Sequence, residues 1–109
     1  MITKEIAETM VVEYLKKKMP NLDLQIMNEL TRDEDFGWMF FYQSKKFVET
    51  GDETELVGGN APIIIDMSNS NLVITGTRLD EEDYVMLYRK FRNDLKAFEA
   101  ACRDYIPED

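Results

Sequence analysis

Two short runs in this 109-residue chain, Trp38-Met39-Phe40-Phe41-Tyr42 and Ile63-Ile64-Ile65, are apolar at every position, which leaves few folds open. Successive side chains of a strand point to opposite faces, so Trp38, Phe40 and Tyr42 point one way and Met39 and Phe41 the other. A strand apolar on both faces lies centrally in its sheet, with something packed over each side. The remainder of the chain has to supply that cover.

Helical cover is expected at both ends. Ile2, Ile6, Met10, Tyr14 and Leu15, joined by Ala7 and Val11, recur at three- and four-residue spacing and predict an amphipathic helix over residues 3–18, with Thr3 as its cap. Lys16, Lys17 and Lys18 complement the negative end of its dipole, and Pro20 stops it. Beyond Asp80, the residues Tyr84, Tyr88, Phe91, Leu95, Phe98, Cys102 and Tyr105 form a heptad-like seam. They predict one helix of about 24 residues, roughly 36 Å long. A domain of this size is about 34 Å across, so the far end should overhang. Phe98, Cys102 and Tyr105 are then the candidate contact for a homodimer, the alternative being packing within the domain.

Between the helices, Leu22, Leu24 and Ile26 alternate with polar or flexible residues and predict a first strand. Arg32 to Gly37 reads as a polar, acidic turn before the aromatic strand. A connection of about 16 residues follows, in which Asp52 and Glu55 resemble a capping box, and Leu56 with Val57 before Gly58 fits one helical turn closed by glycine. Pro62 to Met67 and Leu72 to Thr75 are expected to pair as a hairpin through the turn Asp66 to Asn71. The expectation is a single α+β domain over 1–109: an N-terminal helix, a four-stranded, mainly antiparallel sheet, and a long C-terminal helix.

The chemistry is sparse. The chain has no histidine, which excludes Ser-His, Cys-His and histidine-metal sites. Cys102 is the only cysteine, so no internal disulfide forms, and a small buried hydrophobe is its expected role. Asp33, Glu34 and Asp35 sit in an expected exposed turn with nothing apolar to raise a carboxyl pKa. Asp80 to Asp83 suits a helix start. The stretch DMSNSN lacks the glycine and distal glutamate of a calcium loop, and Gly58-Gly59 precede a strand, where no helix terminus cradles a phosphate. No catalytic, cofactor or metal residue is expected.

The net charge of −9 argues against binding a nucleic-acid backbone and favours a basic partner, or simply solubility. Residues 29–55 hold eight acids against three bases and residues 80–109 nine against five, which accounts for the whole imbalance. No stretch approaches 18 consecutive apolar residues, and Met1 to Val12 lacks the basic start and apolar centre of a signal peptide, so no membrane contact and a cytoplasmic location are expected.

One ordered set of motifs adds to this reading. Gly37-Trp38 opens the aromatic strand, Phe47-Val48-Glu49-Thr50-Gly51-Asp52 follows, then Gly59-Asn60-Ala61-Pro62-Ile63-Ile64-Ile65-Asp66, then Gly76-Thr77 and Tyr84. In this order and at these separations, residues 36 to about 88 resemble the immunity protein 35 family, also called YrhB-like. The chain departs from the family pattern at Asp66 to Leu72, at Leu79, and in the length of its last helix. The resemblance implies a non-enzymatic bacterial immunity protein that binds and neutralises a cognate toxin of a polymorphic or contact-dependent system. A small chaperone-like protein that binds unfolded clients is the alternative it carries. On the toxin reading, Asp33, Glu34, Asp35, Asp52, Glu53 and Glu55 are the candidate partner-binding residues for a basic toxin, since charge complementarity speeds association and selects the partner.

Overall fold

The computed structural model describes residues 1–108, which fall into two compact units, Met1–Thr75 and Gly76 onward. The class is α+β, as expected, and every strand pairing is antiparallel.

In the first unit, α1 (Lys4–Lys18) starts where Thr3 Oγ1 accepts from the Ile6 N–H at 3.3 Å, and it ends at Met19, before Pro20. Three lysines occupy its last turn. The chain then forms β1 (Leu24–Ile26), a 3-10 turn (Asn28–Leu30), β2 (Arg32–Glu34), β3 (Gly37–Phe40) and β4 (Tyr42–Ser44). β1 pairs with β4 and β2 with β3, so residues 24–34 run back along 37–44 as one ribbon, interrupted where the 3-10 turn bulges out opposite Phe41. The expected acidic turn at Arg32 to Gly37 is therefore corrected. Arg32, Asp33 and Glu34 are ladder partners of Met39, Trp38 and Gly37, and only Asp35 and Phe36 make the turn.

β5 (Ile63–Asp66) pairs with the other side of β3, and β6 (Leu72–Ile74) with β5, giving the four-stranded order β2-β3-β5-β6 beside the two-stranded pair β1-β4. The predicted hairpin of the third and fourth strands is present. Asp66 Oδ1 accepts from the Ser68 N–H, Asn69 Oδ1 from the Asn71 N–H, and Ser70 takes the positive φ of 60° that the turn requires. Trp38, Phe40 and Tyr42, with Ile26, Ile63 and Ile65, pack under Ala7, Val11 and Leu15 of α1. Met39 and Ile64, on the opposite face, are fully buried as well. Both faces of the central strands are thus covered, as their composition demands.

Gly37 is where the sheet allows no side chain. Its φ is +148°, and a Cβ there would lie 2.1 Å from the Ile65 carbonyl oxygen across the ladder.

The connection between β4 and β5 differs from expectation. Ser44 Oγ accepts from the Phe47 N–H at 3.0 Å and opens α2 (Lys45–Thr50), which Gly51 closes at φ 72°. A 3-10 turn (Glu53–Glu55) follows, capped by Asp52. Leu56 is already extended, so the expected turn at Leu56-Val57 closed by Gly58 does not form. The reason is a buried side chain. Gln43 Oε1 accepts from the Val57 N–H at 2.7 Å, and Gln43 Nε2 donates to the Val57 carbonyl at 3.0 Å, which holds the chain out of the helix.

In the second unit, the single long helix is corrected to two, α3 (Glu81–Phe91) and α4 (Leu95–Asp104). Asp94 takes an extended conformation and its Oδ1 accepts from the Ala97 N–H at 3.1 Å, a new helix start inside the seam. The chain folds back there. Tyr88 of α3 and Phe98 of α4 meet edge to face at 5.4 Å between ring centroids, and the Arg78 guanidinium donates to the carbonyls of Cys102, Arg103 and Tyr105 at the end of α4. Phe98 is buried, so the overhang that motivated the homodimer expectation is absent. Among the described residues no helix is long and apolar enough to cross a membrane.

Candidate functional site

The six acids singled out by sequence occupy two separate places. Asp33, Glu34 and Asp35 lie on β2 and the β2–β3 turn, whereas Asp52, Glu53 and Glu55 belong to the 3-10 turn held beside Gln43 of β4. Asp33 is opposite Trp38, and five residues of extended chain, about 17 Å, separate Trp38 from Gln43. The two groups are therefore two surfaces and not one.

Within the first group the acids are unequal. Asp33 is exposed and lies 3.3 Å from Lys4 Nζ at the start of α1, an ion pair in solvent and so a weak one. Glu34 accepts from Arg32 Nε at 3.2 Å, and its side chain is only 12% exposed, which leaves little of it for a partner. Asp35, at the turn, is exposed.

In the second group, Asp52 Oδ1 accepts from both the N–H and the hydroxyl of Thr54, at 3.0 and 2.7 Å. Those two bonds hold its carboxyl below the ordinary aspartate value, the hydroxyl contributing most, so Asp52 is ionised and also shapes its own turn. The capping-box partner expected in Glu55 is replaced by Thr54. Glu53 is exposed, and Glu55 is half-buried.

Gln43 and Asn60 are the supports that sequence reasoning missed. Gln43 is 8% exposed and uses both ends of its amide: besides its two bonds to Val57, its Oε1 accepts from the Ser44 N–H at 2.8 Å. Asn60 Nδ2 donates to the carbonyls of Val57 and Tyr42, at 3.0 and 3.2 Å. Together they fasten the acidic turn to β4. The signal available in the sequence was the amide-bearing residue itself, placed on a strand of otherwise apolar character.

Two concave surfaces lie on the first unit. An open cleft of 620 Å³ runs between α1 and β1, with Glu5, Glu8 and Val12 on one wall and Asp23, Leu24 and Ile26 on the other. A smaller hollow of 250 Å³ is lined by Leu22, Asp23, Ser44, Lys46, Glu55 and Val57. Asp23 borders both, so the two adjoin, and Glu55 is the one sequence-selected acid that either contains. Glu5, Glu8 and Asp23 were not selected. Their signal was the stripe Glu5, Glu8, Thr9, Val12 at helical spacing, set apart from the buried stripe Ala7, Val11, Leu15.

Among the described residues, no three metal-binding side chains converge. Cys102 is partly buried, and burial pushes its thiol above the ordinary value, so it is a poor nucleophile at neutral pH.

The model of a protein family described as immunity protein 35 matches residues 5–85, well over half of the chain. The chain belongs to the immunity protein 35 family. The matched span takes in α1, which lies outside the motifs that carry the resemblance, so the family pattern includes the helix that covers the sheet. A relative in Escherichia coli (strain K12), "Uncharacterized protein YrhB", is 34% identical over 70 residues, which span 64% of this chain and 74% of that protein. No solved structure matches the chain. The description of the immunity protein 35 family makes an immunity role the coarse function of its members.

Proposed function

We propose that this protein neutralises a cognate protein toxin by binding it, without chemistry of its own, and that the toxin surface it meets is basic. Membership of the immunity protein 35 family carries the reading. The exposed acids Asp33 and Asp35 at one end of the central ribbon and Asp52 and Glu53 at the other, with half-buried Glu55 beside them, support the charge of the partner. Acids held on an anchored turn lose little freedom on binding, which favours affinity.

The test is rescue of growth when this protein is produced with the toxin encoded beside it. Because the acidic surfaces are separate, they are reversed separately: Asp33→Lys with Asp35→Lys, and Glu53→Lys with Glu55→Lys. Glu34 and Asp52 are left intact because they support the local fold. The reading expects at least one pair to weaken protection and to slow association in a salt-dependent way. Full protection by both folded pairs would remove the acidic surfaces from the account. No protection by the unaltered chain, with suppression of aggregation of unrelated unfolded proteins, would favour the chaperone-like role instead.

A further inference from the structure

Among the described residues β1 pairs with a strand on one side only. Gln25 is opposite Gln43, the Asp23 carbonyl accepts from the Lys45 N–H at 2.8 Å, and the Met27 N–H donates to the Phe41 carbonyl at 2.8 Å. The ladder to β4 therefore uses the backbone groups of residues 23, 25 and 27. Leu24 and Ile26 are the intervening positions, and in an antiparallel ladder their N–H and C=O groups point away from the paired strand. That side of β1 adjoins the 620 Å³ cleft, whose opposite wall is the Glu5, Glu8, Thr9, Val12 stripe of α1.

An open strand edge invites pairing, and proteins blunt such edges with charge. β2, on the same side of the ribbon, is Arg32-Asp33-Glu34 and is blunted in that way. β1 is Leu24-Gln25-Ile26 and carries no charge. The charge nearby belongs to the cleft: Glu5, Glu8 and Asp23 against Lys45, whose ammonium lies 4.0 Å from the Glu49 carboxylate. Among the described residues no ion pair engages Glu5, Glu8 or Asp23.

We propose that the open edge of β1 docks an extended, basic segment of a partner protein, which adds as a strand beside Leu24–Ile26 and sets its Lys or Arg side chains against Glu5, Glu8 and Asp23. Main-chain bonds to Leu24 and Ile26 supply affinity, and the carboxylates select the sequence, the division of labour general to strand addition. A second copy of this chain is disfavoured as the occupant, because it would bring a second set of the same carboxylates into the cleft. The proposal goes beyond the toxin reading and stands without it, since it concerns the edge and the cleft and not the acidic turns.

The experiment uses the full chain, ¹⁵N-labelled, at low salt. The probe is an acetylated, amidated peptide of alternating lysine and valine, and its glutamate and valine counterpart is the control. The expected result is saturable movement of the Leu24 and Ile26 amide resonances, with slowed hydrogen exchange, for the lysine peptide alone. Leu24→Pro removes one outward N–H and spares the bonds to β4, so it should weaken binding roughly fivefold, the worth of one net hydrogen bond. The pair Glu5→Gln and Glu8→Gln, on the cleft side of α1, keeps the side-chain shape and should weaken binding and flatten its salt dependence whether or not Leu24→Pro folds. No movement up to about 5 mM peptide, where bonds of this number would register, overturns the proposal. So does equal binding of the glutamate peptide, or movement around Glu5 and Glu8 with Leu24 and Ile26 unmoved.

Discussion

Replacing Gln43 with alanine should release the acidic turn from the sheet. The side chain is 8% exposed and makes three bonds, accepting from the Val57 and Ser44 N–H groups and donating to the Val57 carbonyl. After truncation the Val57 carbonyl keeps Asn60 Nδ2, but the two N–H donors lose their partner. An orphaned buried donor costs about 1–3 kcal/mol, and water entering the space left by the side chain lowers that figure, so the expected loss is about 2–4 kcal/mol. Urea unfolding followed by the fluorescence of Trp38, the only tryptophan, reads it directly. With a slope of about 1.5 kcal/mol/M for a chain of this size, the midpoint should fall by roughly 2 M. Hydrogen exchange at the Val57 amide should accelerate even where global stability is little changed, because the turn is then free to open locally. Gln43→Glu provides a sign test. Its carboxylate still accepts from both donors but faces the Val57 carbonyl with a second oxygen, and burial raises its folded pKa above the unfolded value of about 4.3. The destabilisation should therefore be full at neutral pH and shrink as pH falls through the folded pKa. A midpoint shift below about 0.5 M together with unchanged exchange at Val57 would refute the argument.

Gly37→Ala places a methyl 2.1 Å from the Ile65 carbonyl at a φ of +148°, so a loss of at least about 3 kcal/mol, or failure to fold, is expected in the same urea assay. Asp94→Ala removes the cap of α4 and should cost about 1 kcal/mol with a loss of helical circular dichroism, which Asp94→Asn should largely restore. For Asp52 the folded pKa lies below the unfolded value near 3.8, so its stabilisation is present above that pH and is lost as pH falls through the lower folded value. Thr54→Val should raise the Asp52 pKa in a carboxyl-detected NMR titration, and an unchanged value would show that the hydroxyl bond is unimportant. Cys102, its thiol raised chiefly by burial, should react with a disulfide reagent at pH 8 much more slowly in the native chain than in urea; equal rates would contradict the placement.

What could be read from the sequence was the structure that announces itself locally. α1 has a cap, a period and a proline stop, and the central strands are apolar on both faces, so both were legible. β2 was not, because Arg32-Asp33-Glu34 is an edge strand whose only reason to be extended is its partner β3. α2 was missed because six residues show little periodicity, although Ser44 and Gly51 mark its two ends. The break before Leu95 was hidden because Phe91 and Leu95 keep the four-residue step across it, and a folded helical pair has the same periodicity as a straight helix. In the candidate site, the acids of both turns were visible as charge, but their separation depends on which strands pair. The cleft was invisible for a similar reason: it exists because, among the described residues, β1 has one strand neighbour and α1 stands beside its other edge.

The break at Asn93 and Asp94 also decides the kinetic order in which an aromatic stripe is buried. Had α3 and α4 been one rod with its far rings overhanging the domain, covering them would have needed a second molecule and so depended on how much of the protein a cell makes. Folded back, Tyr88 meets Phe98 ten residues further along the same chain. Closing a loop that short takes on the order of 10–100 ns, and the event proceeds equally well in a cell that holds a single copy.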